Sequence, residues 1–333
     1  MTRFAQRPPA PQDDQDYRER LRLLSEGSVT RRFDPYLDID WDAPEMAIDR
    51  DDPRWVLSPQ ADPLGATRWY QQQPLARQIA IGRWRQANAI RVGAAFESIL
   101  IRGMMQYVFK LPYNSPEFRY CMHEMTEECN HIQMFQELVN RIGEDVPGMR
   151  PVFKLISPFI GVAGGYAHTI LFIGILGGEE PIDHYQKAVI REGANVPPVL
   201  HRCMEIHIAE EARHISFAGD FLRAHVSRMN APIRFLHSLA FPIAMQWLVN
   251  ELAAPPREMA RIFDIPKSVM RDAFWQSPHS RELKAGYFGD MRALAGELGL
   301  MNPVAVGLWR AFGIYGPPTR YRSEPERRGA RNR

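Results

Sequence analysis

The sequence predicts an all-α protein whose core is a four-helix bundle with additional flanking helices. Four long helix-forming segments are separated by short turns that contain proline or glycine, and no strand-forming run is present. The two halves of the bundle also carry the same pattern of carboxylate and imidazole side chains at the same spacing. The 333 residues, 45% of them hydrophobic, suffice for one large domain with extensions.

Three regions are expected along the chain. Residues 1–74 should form an extended N-terminal arm that packs on the core, with a short helix near 17–26, because proline and aspartate are scattered through them. Residues 75–315 should form the helical-bundle domain. Residues 316–333 are dominated by arginine and are expected to be a basic, disordered tail.

The first two bundle helices are predicted on either side of one turn. A long helix is expected over 75–109, and the turn 111–116 follows it. Ser115 and Pro116 suit the cap and the first residue of the second helix, which should run to about Ile142.

The last two bundle helices follow a loop at 143–150. The third should cover 153–191 with an interruption near 177–181, and the fourth should cover 198–229 after a turn that contains two prolines. Shorter flanking helices are predicted at 232–253, 267–276, 279–298 and 303–312.

The carboxylate pattern of the first half begins at Glu97. Thirty-one positions later, Glu128 opens a Glu-x-x-His motif that ends at His131. Residues three apart share one face of a helix, so Glu128 and His131 can bind one ion together. An offset of 31 spans part of one helix, a short turn and part of the antiparallel partner, which brings Glu97 level with the pair.

The second half repeats this pattern. Glu180 is followed 31 positions later by Glu211, which opens a Glu-x-x-His motif ending at His214, and His207 lies one turn before Glu211. A lone Glu on one helix and Glu-x-x-His on the next, used twice, is the ligand set of ferritin-like bundles that bind two iron or manganese ions. One Glu-x-x-His alone is usually a solvated Glu beside a surface or core His, but the paired spacing in apolar sequence favours metal ligation.

Adjacent glutamates leave the register of the ligands open. The motif histidines select Glu128 and Glu211 over their neighbours Glu127 and Glu210, which are expected to be solvated or to support the ligands. The offset of 31 selects Glu180, whereas an offset of 32 would select Glu179. Pro181 follows directly, so a helix could break or restart at this point.

Composition excludes several other classes of protein. A net charge of +2 is too small to indicate a nucleic-acid partner, and three cysteines without a C-x-x-C motif indicate a reducing, cytoplasmic location. The N-terminus lacks the apolar segment of a signal peptide. The run 156–178 contains no Asp, Glu, Lys or Arg and is long enough to span a membrane, although a central bundle helix is also apolar on all sides.

The complete motif set resembles the p-aminobenzoate N-oxygenase-like (AurF-type) family of non-haem di-iron oxygenases, over about 75–227. The extra His one turn before the final Glu-x-x-His is the distinguishing mark, since ordinary ferritins, desaturases and multicomponent monooxygenases lack it. Pro181 and the glycine-rich third helix depart from the family pattern, which leaves the substrate open. The matching residues are Glu97, Glu128-Cys129-Asn130-His131, Glu180, His207, Glu211 and His214.

The resemblance implies a di-iron oxygenase in which these seven residues bind the metal and act through it. Two iron ions would activate O2 as a co-substrate to oxygenate a small organic molecule, most directly an arylamine at nitrogen. The electrons would come from a separate reductase or ferredoxin-type donor, because the sequence contains no flavin or nicotinamide fingerprint. Neither a nucleic acid nor a membrane is an expected partner, and a homodimer is left open.

Two other functions remain compatible with the ligand set. A di-iron C–H hydroxylase of the same fold would use the same ligands, and only the substrate pocket would distinguish it. A ferritin-like iron-oxidising or stress protein would need a short bundle and a large cage-forming surface, whereas this chain has long extensions on both sides of its bundle. A non-catalytic helical scaffold leaves the repeated spacing unexplained.

Overall fold

The computed structural model describes residues 12–316, which form helices and connecting segments without a β-strand. The predicted basic tail, apart from its first residue, lies outside the described residues. Three 3₁₀ turns and one π-helical turn occupy Pro44–Met46, Pro53–Trp55, Gly193–Asn195 and Asp272–Gln276. The helices are α1 (Gln12–Thr30), α2 (Arg68–Gln71), α3 (Leu75–Val108), α4 (Pro116–Ile142), α5 (Pro151–Tyr166), α6 (His168–Ile190), α7 (Pro198–Val226), α8 (Ala231–Ala253), α9 (Arg257–Ile262), α10 (Lys267–Arg271), α11 (Pro278–Tyr287), α12 (Gly289–Glu297) and α13 (Pro303–Ala311).

The four long helices α3, α4, α6 and α7 form the bundle. Short turns join α3 to α4 and α6 to α7, so each pair packs as antiparallel neighbours. The two pairs meet where α3 contacts α6 and where α4 contacts α7. The predicted fold class, a ferritin-like helical bundle with flanking helices, is confirmed.

Local chemistry sets the ends of α4 as the sequence predicts. The Ser115 hydroxyl accepts a hydrogen bond from the Phe118 N–H at 3.1 Å, and Pro116 occupies the first turn. At the other end, Gly143 adopts the left-handed conformation at φ 68° and donates its N–H to the Val139 carbonyl.

The predicted position of the interruption in the third helix is wrong. The chain breaks at Ala167 (φ −110°, ψ 69°), which separates α5 from α6, and Pro181 lies inside α6. The glycines of α5 serve a close crossing with α3, because a Cβ at Gly161 would lie 2.6 Å from the Ile99 carbonyl oxygen. Among the described helices, none combines the length and apolarity needed to cross a bilayer.

The segments that precede the bundle pack against it. Helix α1 is longer than the predicted short helix and lies across α4 and α7. Between α1 and α2 the chain has little helix, but Trp41, Trp55 and Leu57 are buried in a core shared with the end of α4. On the opposite side, α5 covers α3 and α8 covers α6.

Candidate metal centre

The bundle brings six of the seven predicted ligands together at its centre. Within each of two groups, one nitrogen or carboxylate oxygen per residue lies within 4.8 Å of the others, and every member is buried. His131 and Glu211 belong to both groups, so the two sets of donors are adjacent and share residues. The groups are Glu97, His131, His207 and Glu211, and Glu128, His131, Glu211 and His214.

Glu211 lies between three imidazoles. Its Oε1 is 3.3 Å from His207 Nε2, 3.6 Å from His214 Nδ1 and 3.7 Å from His131 Nδ1. The i−4 and i+3 spacing on α7 places the first two rings on the same face as Glu211, and His131 reaches it from α4. These separations are typical of donors arranged around shared ions rather than of a closed hydrogen-bond network.

Glu128 and Glu97 complete the donor set. Glu128 contacts two rings, with Oε2 at 3.0 Å from His131 Nδ1 and Oε1 at 2.9 Å from His214 Nδ1. Glu97 arrives from α3, and its Oε1 lies 3.3 Å from His207 Nε2.

The outward-facing nitrogens of two rings are bonded to the glutamates that precede the motif carboxylates. His131 Nε2 lies 2.9 Å from Glu210 Oε2, and His214 Nε2 lies 2.8 Å from Glu127 Oε2. Each glutamate therefore supports the histidine of the other helix. Arg213 Nη2 joins the pair at 2.9 Å from Glu127 Oε1 and 3.3 Å from Glu210 Oε1.

The sequence offered a signal for these supporting groups. Both motifs read Glu-Glu-x-x-His. The first acid of each motif is buried, since Glu127 is 2% exposed and Glu210 is 0% exposed. Burial excludes a solvated role for either side chain. The third ring, His207, is supported by an uncharged side chain instead of a carboxylate. Its Nδ1 lies 2.9 Å from the amide oxygen of Gln186.

Burial and mutual repulsion raise the pKa of several carboxyl groups at the centre. The pKa of Glu97 lies well above its usual value because the group is buried and faces Glu128 and Glu211. Burial together with Glu211 and Glu124 has the same effect on the pKa of Glu179. Carboxylates concentrated in this way must be protonated, paired or bound to a cation.

The pKa values of His131 and His207 are shifted in opposite directions. Burial opposes protonation of His131, but Glu128 and Glu210 outweigh it and raise the pKa to about 10. Burial and the neighbouring His131 hold the pKa of His207 well below its usual value. His207 is therefore a neutral ring whose Nε2 faces Glu97 and Glu211.

The structure does not bring Glu180 into either group. Its carboxylate lies 3.9 Å from His184 Nε2 and forms a separate cluster with His184 and Asp290. Glu179 instead faces the centre, and neither of its carboxylate oxygens has a hydrogen-bond donor among the described residues. Adjacent residues on a helix point about 100° apart, so a change of one residue decides which acid faces the bundle interior.

Glu124 is a buried acid that belongs to neither Glu-x-x-His motif. It lies one turn before Glu128 on α4, is fully buried, and has no hydrogen-bond donor to either oxygen within the described part of the chain. Burial raises its pKa strongly, and the charges that act on it include those of His214 and Glu128. The i, i+4 spacing to Glu128 was the available signal.

A cavity of about 390 Å³ lies beside the centre, between α3, α5, α6 and α8. Glu97 and Glu179 both line it, which connects the cavity to the donor set. Phe96 also lines this cavity, whereas Met104 and Phe217 are packed in the core.

A ferritin-like bundle with buried Glu and His side chains from both helix pairs defines the class of di-iron carboxylate proteins. The family model of p-aminobenzoate N-oxygenase AurF matches residues 14–299, and the chain belongs to this family. Two similar proteins, Rv0885 of Mycobacterium tuberculosis and Mb0909 of Mycobacterium bovis, are both described as uncharacterised. Each is 53% identical over 315 residues, which is 95% of this chain and 92% of the relative.

Proposed function

We propose that this protein is an O2-dependent di-iron oxygenase that oxygenates a small arylamine at nitrogen. One observation carries the proposal: a buried set of Glu and His donors adjoins a cavity of about 390 Å³, and Glu97 belongs to both, while Glu179 lines the same cavity. A ferritin-type iron store needs the donors but not a cavity of substrate size beside them.

We propose seven ligands, with Glu179 in place of Glu180. The buried oxygens of Glu179 have no donor among the described residues, which suits a group that faces a cation. The mixture of carboxylates and imidazoles suits iron. The proposed ligands are Glu97, Glu128, His131, Glu179, His207, Glu211 and His214.

Bound iron would supply the activation of O2, with electrons delivered by a separate reductase or ferredoxin-type donor. The protein's own groups set the protonation of the ligands. His131 and His214 donate hydrogen bonds from Nε2–H to Glu210 and Glu127. Each Nδ1 is then the nitrogen that faces the centre and could bind metal. Gln186 accepts from His207 Nδ1–H, so Nε2 is the free nitrogen of that ring.

The cavity would hold the substrate against the ligands and exclude water. Its walls are mainly hydrocarbon, so water gains little by entering and an apolar molecule gains by leaving solvent. Glu97 and Glu179 mark the part of the wall where the reacting atom would lie.

A C–H hydroxylase is the second candidate. Apart from Glu97 and Glu179, the described side chains that line the cavity are apolar except for the indole N–H of Trp247, so no other side chain would accept a hydrogen bond from an amine. A hydrocarbon substrate would need no such group.

Labelled oxygen distinguishes these functions. Iron-loaded protein with a chemical reductant and ¹⁸O₂ would be incubated with charged and uncharged arylamines and with aliphatic compounds, and the products analysed by mass spectrometry. Label on nitrogen supports the proposal, label only on carbon supports the hydroxylase, and iron oxidation without a labelled product refutes both. Glu211→Ala, which removes a donor shared by both groups, is the inactive control.

We further propose a cytoplasmic location. Cys121, Cys129 and Cys203 are all free thiols, a state that a reducing compartment maintains.

A further inference from the structure

The geometry points to an uncharged, largely hydrocarbon substrate, so that a carboxylate-bearing arylamine such as 4-aminobenzoate would be excluded. The inference rests on the proposed function in one respect, since it takes the cavity beside the ligands as the substrate site. Three features of the cavity carry it: its charge, its aromatic wall and its glycines.

The first feature is the charge of the walls. Glu97 and Glu179 are the only charged side chains among the described residues that line the cavity, and both are acidic. A substrate carboxylate would therefore lose its water without meeting a cationic side chain. Uncharged molecules avoid this penalty.

A cationic side chain does occur at a neighbouring cavity, but it is already paired with a carboxylate. Arg85 borders a smaller cavity of about 80 Å³ and bonds Asp62 through Nε at 2.9 Å. Both side chains are almost fully buried. Recruiting Arg85 to a substrate carboxylate would leave Asp62 buried and unpaired, which is costly.

The second feature is an aromatic wall. Phe96 and Phe153 are stacked with ring centroids 5.5 Å apart, and Trp247 meets Phe153 edge to face at 5.2 Å. All three line the cavity. This wall offers a flat apolar surface to the ring of a substrate.

The third feature is the space left by glycine. Gly174 on α6 lines the cavity, and a Cβ built there meets no heavy atom within 4 Å. A larger side chain at this position would therefore extend into the cavity rather than into neighbouring helices. Gly307, on the exposed face of α13, is equally unobstructed and lies outside the cavity.

The test compares 4-alkylanilines with 4-aminobenzoate, by anaerobic calorimetric titration of the iron(II)-loaded protein. Each added methylene should tighten binding about fourfold until the cavity is full. 4-Aminobenzoate should bind at least ~100-fold more weakly than 4-butylaniline, because its carboxylate is buried unpaired. Equal or tighter binding of 4-aminobenzoate overturns the inference.

Gly174→Phe should weaken binding of 4-butylaniline by tenfold or more, on the order expected for overpacking, and Gly174→Leu should weaken it less. Gly307→Phe is the matched control and should bind as the unaltered protein does. Iron content and melting temperature establish that the variants are folded. Unchanged affinity in both Gly174 variants overturns the assignment of the cavity.

Failure of the proposed function would look different. If alkylanilines bind as predicted but acquire no oxygen from O2, the substrate-site inference stands and the N-oxygenase proposal fails. If 4-aminobenzoate is bound tightly and oxygenated, the N-oxygenase proposal stands and the inference about charge fails.

Discussion

Glu127→Gln should weaken iron binding although this residue is not among the proposed ligands. Glu127 accepts from His214 Nε2 at 2.8 Å and from Arg213 at 2.9 Å. Glutamine preserves the shape and one acceptor oxygen but removes the charge that makes the His214 ring a stronger donor. Loss of such a supporting carboxylate typically costs about 10- to 100-fold in metal affinity, or roughly 1.4–2.7 kcal/mol.

Anaerobic titration with iron(II) against a competing chelator would measure the effect, and the binding step that involves His214 should weaken more than the other. Glu205→Gln is the control, since Glu205 lies on α7, the helix that carries His214, with its side chain 45% exposed. Wild-type affinity in Glu127→Gln, or an equal loss in Glu205→Gln, would refute the role assigned to the outer carboxylates.

Three further outcomes are expected. Glu179→Ala should lose more iron than Glu180→Ala, and iron analysis showing the reverse order would restore the register chosen from the 31-residue offset. His207→Ala should keep its fold and most of its iron but change its reaction with O2, measured by stopped-flow absorption; unaltered kinetics would make His207 a core residue only. Iron affinity should rise with pH, because the raised pKa values of Glu97 and Glu211 mean that protons compete with the metal for their oxygens. When protonated, the same carboxyl groups stabilise the metal-free fold, so the stability of the metal-free protein should fall as pH rises through their folded-state pKa values. The increase in melting temperature on iron binding should therefore grow with pH. A pH-independent affinity would count against protonated carboxyls at the centre.

The bundle was predictable because its signals are local. The cap at Ser115 and the left-handed Gly143 fix α4, and the observed helix matches the predicted one at both ends. Motif spacing also predicted six of the seven residues that come together, because i, i+3 and i, i+4 relations follow from helix geometry alone.

The features that the sequence did not determine depend on how the packing of the helices directs single residues. The interruption lies at Ala167, between α5 and α6, and not near Pro181, which lies inside α6. Whether Glu179 or Glu180 faces the centre depends on the rotation of α6, which spacing alone does not determine. The cross-helix bonds of Glu127 and Glu210 likewise require knowing how α4 and α7 face each other.

The number of iron ions bound per chain tests whether the centre is dinuclear. Anaerobic titration of metal-free protein with iron(II), followed by elemental analysis after desalting, should reach saturation at two ions, because the two donor groups share His131 and Glu211 but each has donors of its own. Saturation at one ion, or preferential retention of zinc when both metals are offered, would contradict it.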